Sequence, residues 1–206
     1  MKDNNKHTGS EDIESFPHIV FPAEEARIND PTEQTIQRTR HFTGRVFAAE
    51  VMDVRLQDGT YGTREIVRHN GGATVVPLDA ENNVYVVRQY RTPFQQVLVE
   101  LPAGKLEPGE NPRDCAIREL REETGLEADI IEDLGCIFTS PGYSTEALYL
   151  YLATGLHEGE MNLDEGEFLN VEKIPLTELL GQIDSGRIRD AKTVIALLKT
   201  ARRLGL

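Results

Sequence analysis

The amino-acid sequence predicts an α/β or α+β sandwich, with strands around interleaved helices, rather than an alternating doubly wound sheet. Three observations predict it. β-branched segments separated by turn residues fill most of residues 46–101, as expected for paired strands. One sharply bounded helix pattern follows at 112–124, and further strand and helix patterns continue to residue 204. We therefore assign the chain to the α/β class.

Composition limits the function before any motif is considered. The chain has 206 residues, 39% of them hydrophobic, which allows a sizeable core. Its formal charge is −13, from 35 acidic and 22 basic side chains. This balance argues against nucleic-acid binding, which needs a basic surface. An anionic substrate would be repelled as well, so binding one requires local cations, and a divalent metal is the obvious candidate.

The cysteines and the hydrophobicity profile predict a cytoplasmic protein. Cys115 and Cys136 show neither CxxC spacing nor a disulfide framework, so we expect reduced thiols. No apolar run approaches the roughly 18 residues of a spanning helix. The first residues lack the hydrophobic core of a signal peptide. We expect no association with membranes.

The N-terminal part predicts a small β element. Residues 1–37 are polar and acidic, with three prolines, and are predicted to be a mobile tail. Val46–Leu56 and Thr63–Arg68 have strand composition, and Asp58-Gly59 between them is a hairpin signal. Two paired strands alone are only marginally stable and need another element packed against them. Residues 38–70 are therefore predicted to form an antiparallel element beside a catalytic domain.

The catalytic domain is predicted to span residues 71–206. Its expected strands are rich in β-branched residues, and its helices are separated from them by turn residues. The predicted strands are Ala73–Leu78, Val84–Tyr90, Val97–Leu101, Ile130–Phe138 and Ala147–Thr154, and the predicted helices are Pro112–Thr124, Leu176–Ser185 and Ala191–Leu204.

The helix at 112–124 has clear signals at both ends. Asn111 can cap its N-terminus, and Pro112 suits the first helical position. Asp114 complements the positive end of the helix dipole. Gly125 stands where a left-handed C-terminal cap belongs.

Three glutamates share one flank of this helix. At 100° per residue, they lie beside an apolar stripe formed by Ala116, Ile117, Leu120 and Thr124. Glu119, Glu122 and Glu123 are either an acidic solvated face or a divalent-cation site, since hard cations prefer carboxylate oxygens. Like charges four residues apart cost about 0.2–0.5 kcal/mol per pair, which a bound cation would offset. Arg118 has the spacing to pair with Glu122.

The spacing around this helix resembles the Nudix box. Seven fixed identities at residue frequencies of roughly one in fifteen coincide by chance at about one in a hundred million starting positions. The matching residues are Gly104, Glu110, Arg118, Glu119, Glu122, Glu123 and Gly125, with apolar Leu120 and Leu126. The chain thus resembles Nudix hydrolases, without a departure inside the box.

The resemblance implies an α/β/α sandwich with a mixed sheet and hydrolysis of a nucleoside diphosphate linked to another group. It implies that Glu119 and Glu123 are the main Mg²⁺ ligands, with Glu122 in the same cluster and Mn²⁺ as a possible substitute. The main-chain carbonyl of Ala103 is a further implied ligand. Gly104 would keep the preceding loop tight. Arg118, with Glu110, would hold the loop against the helix.

Segments outside the box resemble the ADP-ribose pyrophosphatase subgroup. These segments are Thr63–Val67, Val87–Arg91, Glu100–Gly104 and Ser140–Tyr143. The combined similarity runs from about residue 40 to the C-terminus. The proline that marks the subgroup, about fifteen residues after the box, corresponds to Pro141. ADP-ribose would give AMP and ribose 5-phosphate. The alternatives are another nucleotide sugar, such as ADP-glucose or GDP-mannose, and a non-catalytic nucleotide sensor.

The same resemblance implies substrate contacts on several elements. Arg91 would reach a phosphate, and Arg88 is either a second phosphate contact or a surface strand residue. Arg64 would contact the substrate of the neighbouring subunit, which implies a homodimer with exchanged N-terminal strands. The remaining substrate-contact candidates are Glu100, Pro141 and Glu146.

Two roles stay open between alternatives. The general base is expected in an acidic loop, where Glu165 and Glu167 are equal candidates and a solvated loop is the alternative for each. Phe42, Phe47 and Tyr61 are either packed strand residues or aromatic rings that stack on adenine. No histidine is assigned a role.

Overall fold

The computed structural model describes residues 31–163 and 168–206. Within these residues the chain divides into two units, one ending at Asn70 and including Gly142–Thr145, the other formed by Gly71–Pro141 and Glu146–Leu206. The elements, in chain order, are β1 (Gln34–Thr43), β2 (Ala48–Arg55), β3 (Tyr61–Arg68), β4 (Gly72–Pro77), β5 (Asn83–Arg91), β6 (Gln96–Glu100), β7 (Ala103–Lys105), α1 (Pro112–Thr124), β8 (Leu126–Phe138), β9 (Ala147–Glu158), β10 (Leu169–Pro175), α2 (Leu176–Asp184) and α3 (Ala191–Leu204).

The N-terminal unit is an antiparallel sheet with strand order β1-β2-β3. The turn between β2 and β3 contains Gly59 at φ +85°, and the Asp58 carboxylate accepts hydrogen bonds from both N and Oγ1 of Thr60. The segment 142–145 extends the unit, because Val67 N donates to Tyr143 O at 2.7 Å and Thr145 N donates to Val67 O at 3.0 Å. The predicted hairpin is therefore present.

Strand β1 differs from the sequence prediction. It begins at Gln34, so residues 34–37 are strand where a tail is predicted. Its side chains are almost all exposed, and a strand without a buried face lacks the alternation of apolar and polar residues that would identify it.

A buried ion pair joins β2 and β3. Arg68 Nε donates to Glu50 Oε1 at 2.6 Å, and the two residues are 9% and 6% exposed. Burial of either charge alone would be costly, so the pair contributes to the register of the two strands.

The second unit, Gly71–Pro141 and Glu146–Leu206, contains a mixed four-stranded sheet with order β7-β4-β9-β8. Strands β4 and β9 are parallel, whereas β7 and β8 pair antiparallel with β4 and β9 respectively. A second, antiparallel sheet has the order β10-β5-β6. All six residues of β4 are buried, as expected for a central strand covered on both faces.

Successive residues of β4 face opposite layers. Val75 packs in a core cluster with Ala116 and Leu120 of α1, while Val76 packs with Leu179 of α2 and Leu197 of α3. This follows from the two-residue side-chain period of a strand. The helices thus cover both faces, which confirms the α/β/α sandwich with a mixed sheet.

The helix predictions are confirmed within one residue, whereas several strand limits differ. Helix α2 ends at Asp184, one residue before the predicted limit. Strand β8 begins at Leu126 rather than Ile130, and the three-residue strand β7 was not predicted. In the residues described, no helix has the length and apolar character needed to cross a membrane.

Candidate active site and metal centre

Local signals in the sequence determine where α1 begins and ends. Asn111 Oδ1 accepts a hydrogen bond from Arg113 N at 2.9 Å, and Pro112 occupies the first turn. Gly125 adopts φ +68° and donates its N–H to Arg121 O. Proline and an N-cap favour the start, and a left-handed glycine ends the helix. The predicted caps are confirmed, and they fix which residues share each face.

The glutamate flank is largely buried. Glu119 is 9% exposed and Glu123 is 4% exposed, while Glu122 is half-buried. Ile117, expected in the apolar stripe, is instead 39% exposed. Buried carboxylates need compensating partners, so this flank is not an ordinary solvated acidic face.

Strand β7, which precedes α1, supplies one such partner. Ala103 N donates to Glu123 Oε2 at 3.0 Å. Strand β4 holds this segment, since Pro102 O accepts hydrogen bonds from Thr74 Oγ1 at 2.9 Å and from Val75 N at 3.1 Å. The buried central strand therefore positions the backbone that faces Glu123.

Gly104 lies directly against Glu119. A Cβ at this position would come within 1.7 Å of Glu119 Oε1 and 2.1 Å of its Cδ. Only glycine permits this approach of backbone and carboxylate. Gly104 lies in the short strand β7 rather than in the predicted loop, and the residue it makes room for is Glu119.

Arg118 connects the loop to the carboxylates. Its Nε donates to Glu110 Oε1 at 2.9 Å, and its Nη1 donates to Glu119 Oε1 at 2.6 Å and to Glu122 Oε2 at 3.0 Å. Its Nη2 donates to Lys105 O at 3.2 Å. The predicted pairing with Glu122 is present. The hydrogen bond from Arg118 lowers the pKa of Glu110 below its usual value.

The donor set fits a divalent cation, although the side chains are not arranged around one. Among residues 31–163 and 168–206, no group of three His, Cys, Asp or Glu side chains has a geometry that could hold a metal ion. Glu119 and Glu122 are hydrogen-bonded to Arg118, and Glu123 to Ala103. One guanidinium carries one positive charge against these three carboxylates. Hard oxygen donors with excess negative charge suit a hard divalent cation, which would require the carboxylates to turn from Arg118.

Cys115 is close to the site but is not a nucleophile. Its Sγ lies 3.4 Å from Arg118 Nη2. Burial, followed by the charge of Glu110, raises the pKa of the thiol to about 12. The thiol is therefore protonated near neutral pH and lacks the reactivity of a thiolate.

Arg91 and Glu100 form a second charged group in the unit that contains α1. Arg91 Nε and Nη2 donate to the two oxygens of Glu100 at 2.7 and 2.8 Å. Glu100 is 2% exposed and also accepts a hydrogen bond from Lys192. Burial by itself raises the pKa of Glu100, but the Arg91 hydrogen bonds and the Lys192 charge outweigh it and lower the pKa to about 2. Sequence reasoning missed Lys192, which no motif marks.

The other predicted substrate residues lie apart from this pair. Arg88 is on β5 with Nε 3.6 Å from Glu172 Oε1 at the surface. Glu146 is half-buried and accepts a hydrogen bond from Thr139 Oγ1 at 2.7 Å. Pro141 is exposed in a turn. Glu165 and Glu167 lie outside the described residues.

The aromatic rings predicted to contact substrate from the N-terminal unit are exposed, while Arg64 is half-buried. Arg64 is on β3 and pairs with Glu33. Phe42, Phe47 and Tyr61 are 51%, 39% and 72% exposed, so none of these three rings is buried. The Phe42 and Phe47 rings contact each other with centroids 5.4 Å apart.

The N-terminal unit also contains a cleft of about 430 Å³. Its lining comes from that unit alone and includes His41, Glu50, Glu65 and Tyr143 among apolar strand residues. The carboxylates of α1 do not line it.

Comparison with known proteins agrees with this geometry. The family model for the NUDIX domain matches residues 68–197. The chain is 47% identical over 167 residues to a protein named methanol dehydrogenase activator from Bacillus methanolicus, covering 80% of this chain and 90% of that one. It is 40% identical over 167 residues to an ADP-ribose pyrophosphatase of Bacillus subtilis (strain 168), with the same coverage.

A more distant relative and a solved structure complete the comparison. A GDP-mannose pyrophosphatase of Yersinia enterocolitica is 33% identical over 153 residues, covering 69% of this chain and 79% of the relative. The solved structure of an ADP compounds hydrolase superposes with a TM-score of 0.75 at 22% identity, covering 87% of this chain and 97% of that one. The latter likeness shows the fold. With a matching domain model over more than half its length and close relatives that align along most of theirs, this chain belongs to the Nudix family.

Proposed function

We propose that this protein hydrolyses the diphosphate linkage of ADP-ribose to AMP and ribose 5-phosphate in a Mg²⁺-dependent reaction. The observation that carries the proposal is the buried glutamate flank of α1, built around Gly104 and Arg118. Relatives named ADP-ribose pyrophosphatase, at 40% and 37% identity, support this substrate. Nudix hydrolases generally depend on divalent metals, and the choice of Mg²⁺ belongs to the proposal.

The carboxylates of α1 perform the metal-binding part of this function. Glu119, Glu122 and Glu123 supply hard oxygen ligands, together with the main-chain carbonyl of Ala103. Bound Mg²⁺ would neutralise substrate phosphates and lower the pKa of a bound water. Arg118 holds the flank together without metal and offers an alternative partner for Glu119 and Glu122. These assignments explain why an acidic protein can accept an anionic substrate.

Arg91 binds a phosphate of the substrate in this proposal. Its guanidinium is 39% exposed at the side chain, while Glu100 holds two of its nitrogens. Arginine's planar fork suits phosphate oxygens. The burial of Glu100 supports a role in positioning Arg91. Arg88, Glu146 and Pro141 remain proposed substrate contacts.

The hydrolytic step needs a general base that accepts a proton from the attacking water. A glutamate of the acidic loop, Glu165 or Glu167, takes the proton from the attacking water. The water oxygen forms a bond with one phosphorus, and the bridging oxygen leaves with the other phosphate.

We also propose a homodimer in which Arg64 and the exposed aromatic residues of the N-terminal unit reach the neighbouring subunit's substrate. A cytoplasmic location is part of the same proposal.

A second candidate keeps the chemistry and changes the substrate. A relative named GDP-mannose pyrophosphatase, at 33% identity, favours a nucleotide sugar as the alternative. A relative named methanol dehydrogenase activator, at 47% identity, supports a third candidate, a non-catalytic nucleotide-sensing module that regulates a partner. Because these candidates share the fold and the carboxylates of α1, the contacts in the substrate pocket decide which of them applies.

A substrate panel tests the proposal. Phosphate-bearing products would be measured with Mg²⁺ for ADP-ribose, ADP-glucose, GDP-mannose and dinucleoside polyphosphates. We expect the highest kcat/KM for ADP-ribose, with AMP and ribose 5-phosphate in equal amounts. Faster hydrolysis of GDP-mannose would transfer the proposal to the second candidate. No Mg²⁺-dependent hydrolysis of any compound would overturn both.

A further inference from the structure

The N-terminal end of α3 contacts the strand end that carries Glu100. Lys192 Nζ donates to Glu100 Oε2 and lies 3.0 Å from Asp190 Oδ2. The side chains of Lys192 and Glu100 are 11% and 2% exposed. Water and salt screen buried pairs little. Lys192 is therefore strongly coupled to the carboxylate that holds Arg91.

Hydrogen bonds at the start of α3 fix the position of Lys192. Asp190 caps α3, because its Oδ2 accepts from Thr193 N at 3.0 Å and from Thr193 Oγ1 at 2.6 Å. The same Thr193 oxygen accepts from Leu101 N at 2.9 Å. The start of α3 is thus tied to the residue that follows Glu100. Because the helix start is attached to the strand end, the position of Lys192 relative to Glu100 is specified.

Arg91 keeps one edge of its guanidinium for a ligand. Glu100 uses Nε and Nη2, whereas Nη1 makes no hydrogen bond to any residue in 31–163 or 168–206. The direction of that edge depends on the Glu100 carboxylate. A carboxylate that is held from two sides, by Arg91 and by Lys192, has fewer alternative rotamers than one held by Arg91 alone.

Charge supports the same arrangement. A lone Arg91–Glu100 pair would carry no net charge and would attract a phosphate weakly. Lys192 adds a second cation to the same carboxylate. The negative charge of Asp190 is stabilised at the N-terminus of α3, where the helix dipole favours an anion. The four side chains together carry no net charge, whereas Arg91, Glu100 and Asp190 without Lys192 would carry a net charge of −1 and would repel a phosphate.

We propose that Lys192 is a positioning residue for substrate binding: acting through Glu100, it orients the Arg91 guanidinium toward a substrate phosphate. The inference deepens the proposed function and rests on it. It assigns a role in the reaction to a side chain on α3, an element that carries none of the box residues. It requires that the effect of Lys192 on substrate depend on the presence of Arg91.

A double-mutant cycle tests this dependence. Lys192→Met should raise KM for ADP-ribose by about tenfold with kcat changed less than about twofold. In an Arg91→Met background the same change should have no further effect, because interacting residues are non-additive. Lys199→Met is the control, since Lys199 is an exposed lysine of the same helix whose ammonium donates to Leu134 O and not to Glu100. It should leave KM unchanged.

A second readout does not depend on activity. NMR measures solvent exchange of the Arg91 Nε–H proton, which Glu100 protects in the wild-type chain. Lys192→Met should accelerate this exchange by about tenfold or more, and Lys199→Met should not. Should Lys192→Met fail to fold, Lys192→Gln keeps a donor without the charge, and about a threefold rise in KM is expected.

Each outcome decides a different claim. An active wild type whose KM is unaffected by Lys192 substitution, or whose Lys192 and Arg91 effects multiply, overturns the positioning role and leaves the proposed function standing. A wild type inactive on ADP-ribose overturns the proposed substrate. In that case the exchange rate alone decides whether Lys192 orients Arg91, and an unchanged rate rejects it.

Discussion

Gly104 and Glu119 are packed so closely that a Cβ on Gly104 would lie 1.7 Å from Glu119 Oε1. A contact this short cannot be relieved without moving the carboxylate, since real Cβ contacts are far longer. Gly104 pairs with Ala73 of the buried strand β4, which restricts movement of its own backbone. The carboxylate must therefore give way if the position carries a side chain.

Gly104→Ala should reduce kcat by about a hundredfold or more, because a displaced metal-binding or catalytic group loses its productive geometry. Steady-state kinetics with ADP-ribose and Mg²⁺ measure the loss. Gly181→Ala is the matched control, since nothing lies within 4 Å of its added Cβ. In α2 that change should stabilise the protein by about 0.5–1 kcal/mol with normal activity. Normal kcat in Gly104→Ala would contradict the assigned contact.

Glu119→Gln and Glu123→Gln should each lower kcat by about two orders of magnitude or more, because each removes a charged ligand while keeping the side-chain shape. Circular dichroism should show a cooperative unfolding transition in both. Glu158→Gln, at an exposed position, provides the control and should remain fully active. Near-normal turnover in both glutamine variants would refute the carboxylate site.

Divalent metal should stabilise the wild-type fold. At a Mg²⁺ concentration of about 100 times Kd, the free energy of unfolding should rise by about 2.7 kcal/mol, and a chelator should remove both this gain and the activity. Thermal denaturation with and without Mg²⁺ measures the effect. The Glu119→Gln, Glu123→Gln double variant should show no gain. A gain equal to that of wild type would place the metal elsewhere.

Arg118→Lys should destabilise the metal-free protein by about 2 kcal/mol, since a lysine cannot bridge Glu110, Glu119 and Glu122 as the guanidinium does. Urea denaturation without metal measures the change. Added Mg²⁺ should recover part of it, because the cation replaces the lost positive charge. Arg121→Lys, exposed on the same helix, should behave as wild type. Equal stability of the two variants would contradict the bridging role.

The pKa of Glu100 predicts an acid-labile contribution to stability. The folded pKa is lowered to about 2 from an ordinary value of 4.5, so the contribution is present above the unfolded pKa and is lost as the pH falls toward 2. The shift corresponds to a loss on the order of 3 kcal/mol. Urea denaturation at several pH values between about 5 and 2 measures the slope. Glu100→Gln should flatten it, and an unchanged slope would rule out Glu100 as a source.

How far the sequence determines the site can be followed along α1. Asn111, Pro112 and Gly125 predict its ends because capping is a local interaction between neighbouring residues. Once those ends are known, the helical repeat places the three glutamates on one flank. The pairing of Arg118 with Glu122 follows from the same repeat.

Other features depend on residues far apart in the chain. Lys192 and Glu100 are 92 positions apart, and no local pattern relates a lysine in an ordinary helix to a glutamate at a strand end. Strand β1 was not predicted, because its exposed residues have no apolar alternation. Likewise, the sequence of β4 suggests a strand but does not show that its direct neighbour β9 runs parallel to it.

The sequence by itself determined the helix, its carboxylates and the family-specific spacing, since these depend on interactions within a few residues. Only the tertiary structure decided that Glu119 and Glu123 are buried, that Gly104 faces Glu119, and that α3 supports Glu100. The physical reason is that burial and long-range contacts arise when both faces of one sheet are covered. That packing is a property of the whole chain.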